Sequence, residues 1–319
     1  MDRRPWTPTR WARNGDVRLA CDTWAGADGN EPLLLVMGMG VSRRWWPDGL
    51  CRILADHGFS VARYDHRDAG ESTHLPPTRT RLPATALLGR RGEAYTAEDM
   101  ADDAVAVLDE LGWETAHLLG VSLGGAVAQR VAIRHPDRVR TLTSMSAVPA
   151  DAAGLGVLRY IRVPAVARLS RMRYPDTEEG TVRAGLAIAR FCASPAQPFD
   201  EEEERAKAER LADSGTRDTR AQSRQIGAQW HGPAISTITV PTLVLHGRDD
   251  PLIRPNAAAA IASRVPGARL VALPGVGHDI PAPVWRTVAA EVRALADGSP
   301  ERANRGGSHH GPQPGRGSE

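Results

Sequence analysis

Hydrophobic positions along the chain fall into short runs separated by longer amphipathic stretches over residues 15–150. Val17 to Trp24 alternates and predicts an early strand, while Leu33-Leu34-Leu35-Val36-Met37 is a continuous apolar run ended by Gly38. A run without alternation is the pattern of a strand buried on both faces. A helix is predicted from Trp46 to His57, closed by Gly58, followed by a strand from Phe59 to Tyr64 and a turn-rich loop from Asp65 to Pro77. Thr96-Ala97-Glu98-Asp99 reads as a capped helix start, and Met100, Ala104, Val107, Leu108 and Leu111 keep helical spacing up to Gly112. Ala116–Val121 reads as a buried strand, Leu123–His135 as a helix stopped by Pro136, and Val139–Met145 as another strand. Strands alternating with helices of this length predict parallel β-α-β units.

The rhythm stops between Asp151 and Thr237. That stretch is rich in Ala, Arg and Glu and lacks a strand-like run, so it predicts an all-helical insertion. Glu201 to Glu204 reads as the solvated first turn of a helix, where acids suit the dipole, with basic residues behind it placed for i,i+4 pairs. Alternation resumes with a strand at Thr242–His246, a helix at Asn256–Val265, a strand at Arg269–Leu273 and a helix at Val284–Ala296. The expected fold class is α/β: a mostly parallel central sheet with helices on both faces, formed by 1–150 and 238–297. Residues 151–237 are expected to form a helical cap, and 298–319, dominated by Gly, Ser, Arg, Pro and His, a disordered tail.

Composition removes other classes. The net charge of +2 is small for 78 charged side chains, and no dense basic run is present, so no nucleic-acid partner is expected. The longest apolar stretch, about nine residues from Leu33 to Val41, is too short to span a bilayer, and Arg3-Arg4 is not followed by an apolar signal core. No membrane partner is expected, and the location implied is cytoplasmic. Cys21, Cys51 and Cys192 are odd in number and widely spaced, which suits buried thiols in a reducing compartment better than disulfides or a zinc site. Lys207 is the sole lysine, a bias that high-G+C codon usage explains without a binding role.

Candidate chemistry centres on Gly120-Val121-Ser122-Leu123-Gly124, which sits between a predicted strand and a predicted helix. That context is the one a nucleophile elbow requires, because the serine must occupy a strained turn whose flanking positions leave no room for a Cβ. Such a serine needs a base and a group to orient it. His278, in the Gly275-Val276-Gly277-His278 loop between the last strand and the last helix, is the candidate base; His57 and His135 lie near helix ends, His117 and His246 in strands, and His66 and His74 in the loop after a strand. Asp250 and Asp249 both follow the Thr242–His246 strand; Asp250 is favoured as the orienting acid and Asp249 as a loop-capping one. The oxyanion donors expected are the backbone N–H groups of Leu123, at the helix start, and Met39, in the turn Gly38-Met39-Gly40. That turn lacks the third glycine of a dinucleotide fingerprint, and no Gly-Lys-Ser/Thr exists, so no cofactor and no metal are expected. Trp45, Trp46 and Trp230 are candidate walls for a flat aromatic ligand, while Asp65 and Arg67 are read as pinning their loop.

The segments LLLVMGMG, YDHRDAGEST, GVSLGG, LVLHGRDDP and GVGH, in that order, resemble the α/β-hydrolase superfamily over residues 15–297. Within it, VMGMG followed by WWPDGL, then RYDHRDAGEST and DMADDAVAVLDELG, resembles the aclacinomycin methylesterase group and related bacterial hydrolases. The resemblance implies the α/β-hydrolase fold, with Ser122 as nucleophile, Asp250 as acid, His278 as base and Met39 and Leu123 as oxyanion donors. It also implies a small hydrophobic ester as the partner, a methyl ester of an aromatic polyketide held under the cap. A thioesterase, lactonase or acyl transferase would use the same groups. A binding module that kept the fold would have no use for an intact Ser, His and Asp set.

Overall fold

The computed structural model describes residues 5–24, 31–76, 94–175, 177–212 and 219–298. Its strands are β1 (Arg10–Asn14), β2 (Val17–Thr23), β3 (Glu31–Val36), β4 (Phe59–Tyr64), β5 (Ala116–Val121), β6 (Val139–Met145), β7 (Thr242–Gly247) and β8 (Arg269–Leu273). They form one sheet in the order β1-β2-β4-β3-β5-β6-β7-β8, in which β3 to β8 run parallel and the β1-β2 hairpin is antiparallel. Leu33 and Leu35 of β3 join one apolar cluster and Leu34 and Val36 the other. The uninterrupted run thus feeds both faces, as strand pleating requires.

Helices α1 (Asp48–Asp56) and α9 (Trp285–Asp297) cover the Leu33 face; α2 (Ala97–Leu111), α3 (Leu123–Arg134) and α8 (Pro255–Arg264) cover the other. Local chemistry sets their ends. Thr96 Oγ1 accepts the Asp99 N–H at 3.2 Å while Asp99 Oδ2 accepts the Thr96 N–H at 2.7 Å, a reciprocal capping box at the start of α2. Gly112, at φ 72°, closes the same helix in the left-handed region.

Strand β1 is an element the hydrophobic pattern does not reveal. Of its five residues only Ala12 is fully buried. What forms it is the two-residue Gly15-Asp16 connection, with Gly15 at φ 57°, which returns the chain along β2.

Between β6 and β7 the described residues contain helices α4 (Val163–Arg171), α5 (Glu178–Cys192), α6 (Glu201–Ala212) and α7 (Thr219–Gly227), with 3-10 turns at Gly154–Arg159 and Ile235–Thr237. The four glutamates form the first turn of α6, and Arg205 and Lys207 reach back one turn to Glu201 and Glu203 at 3.6 and 3.3 Å. The expected tail beyond Gly298, with His309 and His310, and the end of the loop at Pro77 lie outside the described residues.

His117, on β5, is buried between Thr141 Oγ1 at 2.8 Å and Glu31 Oε2 at 3.2 Å. Burial, opposed by Glu31, takes its pKa down to about 4 from 6.5. The unfolded chain therefore binds a proton in that interval that the folded chain refuses, so this imidazole makes stability fall as pH drops from 6.5 towards 4. Denaturation midpoints measured between pH 7 and pH 4 should fall more steeply for the native chain than for His117→Gln. Equal slopes would contradict a neutral buried imidazole.

Candidate active site

Ser122 occupies the single position between the end of β5 and the start of α3, at φ 56° and ψ −120°. A non-glycine residue held there costs about 1–3 kcal/mol. Packing enforces it. A Cβ on Gly120 would run into the Gly124 carbonyl, one on Gly124 into the carbonyls of Val36 and Met37, and one on Gly125 would sit 2.7 Å from Ala147 Cβ. The Ser122 N–H donates to Met145 O of β6 at 2.9 Å. Strand, turn and helix are therefore pressed together so tightly that only glycine fits on either side, and the half-buried serine stands at the carboxyl edge of the sheet.

The edge in question is a topological switch point. From β3 the chain passes through α1 to β4 on one side, then through α2 to β5 on the other. Loops leaving β3 and β5 diverge there and open a crevice. Gly38 follows β3 and lies against Ser122: a Cβ on it would be 3.5 Å from Ser122 Cβ. Met39 comes next, half-buried, and the Leu123 N–H is the first of α3, where the helix dipole is positive. The structure thus brings Ser122, Leu123 and the Met39 turn together.

Asp250 lies three residues beyond Gly247 at the end of β7, and His278 five beyond Leu273 at the end of β8, on the same edge. Asp250 is buried. Its Oδ1 accepts the N–H groups of Leu252 and Ile253, each at 2.8 Å, and its Oδ2 accepts from His278 Nδ1 at 2.7 Å. Burial alone would push this carboxyl up, but the imidazole and the backbone donors together hold it below the usual carboxylate range. With the proton on Nδ1 directed at Asp250, the neutral ring keeps its lone pair on Nε2. Asp249 is placed differently: it is exposed, and its Oδ2 accepts from Ser194 Oγ at 2.6 Å. The His278 N–H donates to Cys192 O at 2.7 Å, so the end of α5 braces the histidine loop.

Asp65 is fully buried, accepting from Ser42 Oγ at 2.9 Å, from the N–H of Arg43 at 2.6 Å and from that of Glu71 at 2.9 Å, and pairing with the Arg43 guanidinium. Arg67 grips Asp103 through two bonds of 2.6 Å. Both residues pin loops. The three tryptophans separate: Trp46 is buried in the core beside α1, Trp230 donates to Pro233 O at 2.9 Å against the opposite core face, and Trp45 borders the insertion near Gly185. Trp46, fully buried, is therefore a core residue in the cluster that α1 and α9 also enter.

Three side chains at the site escape sequence reasoning. His66 Nε2 donates to Met37 O at 2.9 Å, and complete burial lowers its pKa and keeps the ring neutral. From α7, Gln225 reaches the Met39 turn, and Arg224 makes a buried two-point pair with Asp68 at 2.8 and 2.7 Å. Their partners are distant in sequence, and no local spacing marks them. Among the described residues no group of three or more His, Cys, Asp and Glu side chains could hold a metal ion, and no helix is long and apolar enough to cross a membrane.

The sheet order, the strained serine turn and the His-Asp pair on one edge define the class, and the chain belongs to the α/β-hydrolase fold family, whose sequence model matches residues 31–282. It is similar to rhodomycin D methylesterase DnrP of Streptomyces peucetius, 32% identical over 90% of this chain and 97% of the relative. DauP of Streptomyces sp. (strain C5), also a rhodomycin D methylesterase, is 32% identical over the same shares of 90% and 97%. Among solved structures, a hydrolase from Pseudomonas aeruginosa PA01 shares the fold with a TM-score of 0.63 at 24% identity, over 90% of this chain and 97% of that one.

Replacing Gly124 by Ala forces a methyl group onto two carbonyl oxygens of the β3 end. Urea denaturation of Gly124→Ala should show a loss of roughly 1–3 kcal/mol, the usual cost of overpacking. An unchanged midpoint would contradict the close approach of α3 to β3.

Proposed function

We propose that this chain is a serine carboxylic-ester hydrolase that removes a methyl ester from an aromatic polyketide-type metabolite. The observation that carries the chemistry is the strained serine turn sharing a sheet edge with an ionised, buried Asp250 bonded to His278 Nδ1. The substrate class is carried by the similarity to two rhodomycin D methylesterases along nearly their whole length.

Ser122 Oγ attacks the ester carbonyl while His278 Nε2 takes its proton. The N–H groups of Leu123 and Met39 donate to the carbonyl oxygen as negative charge develops on it, and their value lies in being aimed before the charge appears. His278 then protonates the departing methoxide oxygen, which leaves as methanol. Water, deprotonated by the same nitrogen, attacks the acyl-enzyme, and the carboxylic acid leaves as Ser122 recovers its proton. Asp250 fixes the ring tautomer and offsets the positive charge on the imidazolium. Residues 1–150 and 238–297 act as the hydrolase core and 151–237 as the cap over the crevice, in a cytoplasmic enzyme.

Methanol release from a panel running from simple acyl methyl esters to polycyclic aromatic ones tests this reading. Release from the aromatic esters that disappears in Ser122→Ala is expected. A folded protein that releases none, yet cleaves a thioester or lactone, would move the chemistry away from methyl esters. Asp250→Asn should lower kcat by ~10⁴-fold, and Asp249→Asn far less, since only Asp250 holds the imidazole. The reverse ranking would transfer the acid to Asp249.

A further inference from the structure

Two buried side chains hold the turn after β3 on either side of one peptide. His66 Nε2 donates to Met37 O at 2.9 Å, and the Gly40 N–H donates to Gln225 Oε1 at 2.9 Å. Between these fixed groups lies the Gly38–Met39 peptide, which carries the Met39 N–H. Gln225, itself 1% exposed, uses its other end to donate from Nε2 to Arg67 O at 3.0 Å. One side-chain amide from α7 therefore bridges the loops after β3 and β4. Gly40, at φ 68°, allows the approach: a Cβ there would meet Gln222 Cγ at 2.6 Å. Arg224, paired with Asp68, anchors α7 by a separate contact.

We infer that Gln225 is a positioning residue for ester hydrolysis, holding the Met39–Gly40 peptide so that the adjacent Met39 N–H stays aimed at the oxyanion. The insertion then supplies part of the oxyanion apparatus as well as a cover. The inference rests on the assignment of the Met39 N–H as a donor. A donor on a loop stabilises the transition state fully only when its direction is fixed beforehand; a loose one spends part of its interaction on reorganisation. Neither end of Gln225 is redundant, because removing the side chain strands the Gly40 N–H and the Arg67 carbonyl and frees the turn.

The test compares Gln225→Leu, which removes both bonds, with Gln225→Glu, which keeps an acceptor for Gly40. The readouts are kcat and KM for an aromatic methyl ester and the affinity of an arylboronic acid. Boron accepts a lone pair from Ser122 Oγ, whose proton passes to His278, giving a tetrahedral anion whose hydroxyl oxygen mimics the oxyanion. In Gln225→Leu, kcat should fall by about 10–100-fold with KM nearly unchanged, and boronic-acid affinity should fall in parallel. Gln225→Glu should recover part of both losses. Unchanged kcat and boronic-acid affinity in Gln225→Leu, or a change confined to KM, would overturn the positioning role. A native protein whose boronic-acid binding does not depend on Ser122 would instead overturn the serine-hydrolase reading beneath it.

Discussion

Holding Ser122 at φ 56° opposes the backbone's own preference, and the centre of the fold is arranged to bear that cost. Glycines at 120, 124 and 125 let α3 descend onto the ends of β3 and β5 until backbone meets backbone. The close approach is possible because β3 and β5 are neighbours in the sheet, and they are neighbours because the chain reverses direction across β3. One steric arrangement thus sets three things together: the serine's exposure, the free N–H at the start of α3, and the contact of Gly38 with the serine.

Loops at a sheet edge are ordinarily the mobile part of such a fold. Here buried polar groups stiffen them. Arg43, completely buried, is held by Asp22, Asp65 and Glu71, and ties the loops after β3 and β4 to the hairpin strand β2. A guanidinium so deeply placed is tolerable only because its charge and donors are met on several sides. The insertion adds two more ties on opposite flanks, Cys192 O to the His278 N–H and Gln225 to the Gly40 N–H. The helical insertion thus meets the sheet edge on both sides of Ser122.

Much of this could be read from the residues alone. Strands β4, β5 and β6 have the spans that the hydrophobic runs predict, because burial on both faces leaves little choice of residue, and the mostly exposed edge strand β8 also keeps its predicted span. The placing of Ser122, Asp250 and His278 on one sheet edge was legible because Ser122 directly follows a strand and the other two sit three and five residues past strand ends, where glycine and proline mark sharp turns. Strand β1 was not, since RWARN buries little and its existence depends on the turn beside it. Gln225, Arg224 and His66 were equally silent. A glutamine on an amphipathic helix has no local reason to be buried; only the arrival of Gly40 and Arg67 from other parts of the chain gives it one. Trp46 shows the converse, an aromatic that composition offers to a ligand and packing gives to the core.

In the proposed route an ester's acyl group passes through Ser122. Rapid quenching of the protein with an aromatic methyl ester, followed by intact-mass measurement and peptide mapping, tests it most directly. The expected result is a transient mass increase equal to the substrate minus methanol, located on the peptide that contains Ser122 and prolonged when the deacylating water is made scarce. Hydrolysis that proceeds with no adduct at any time, or with an adduct on another residue, would contradict it.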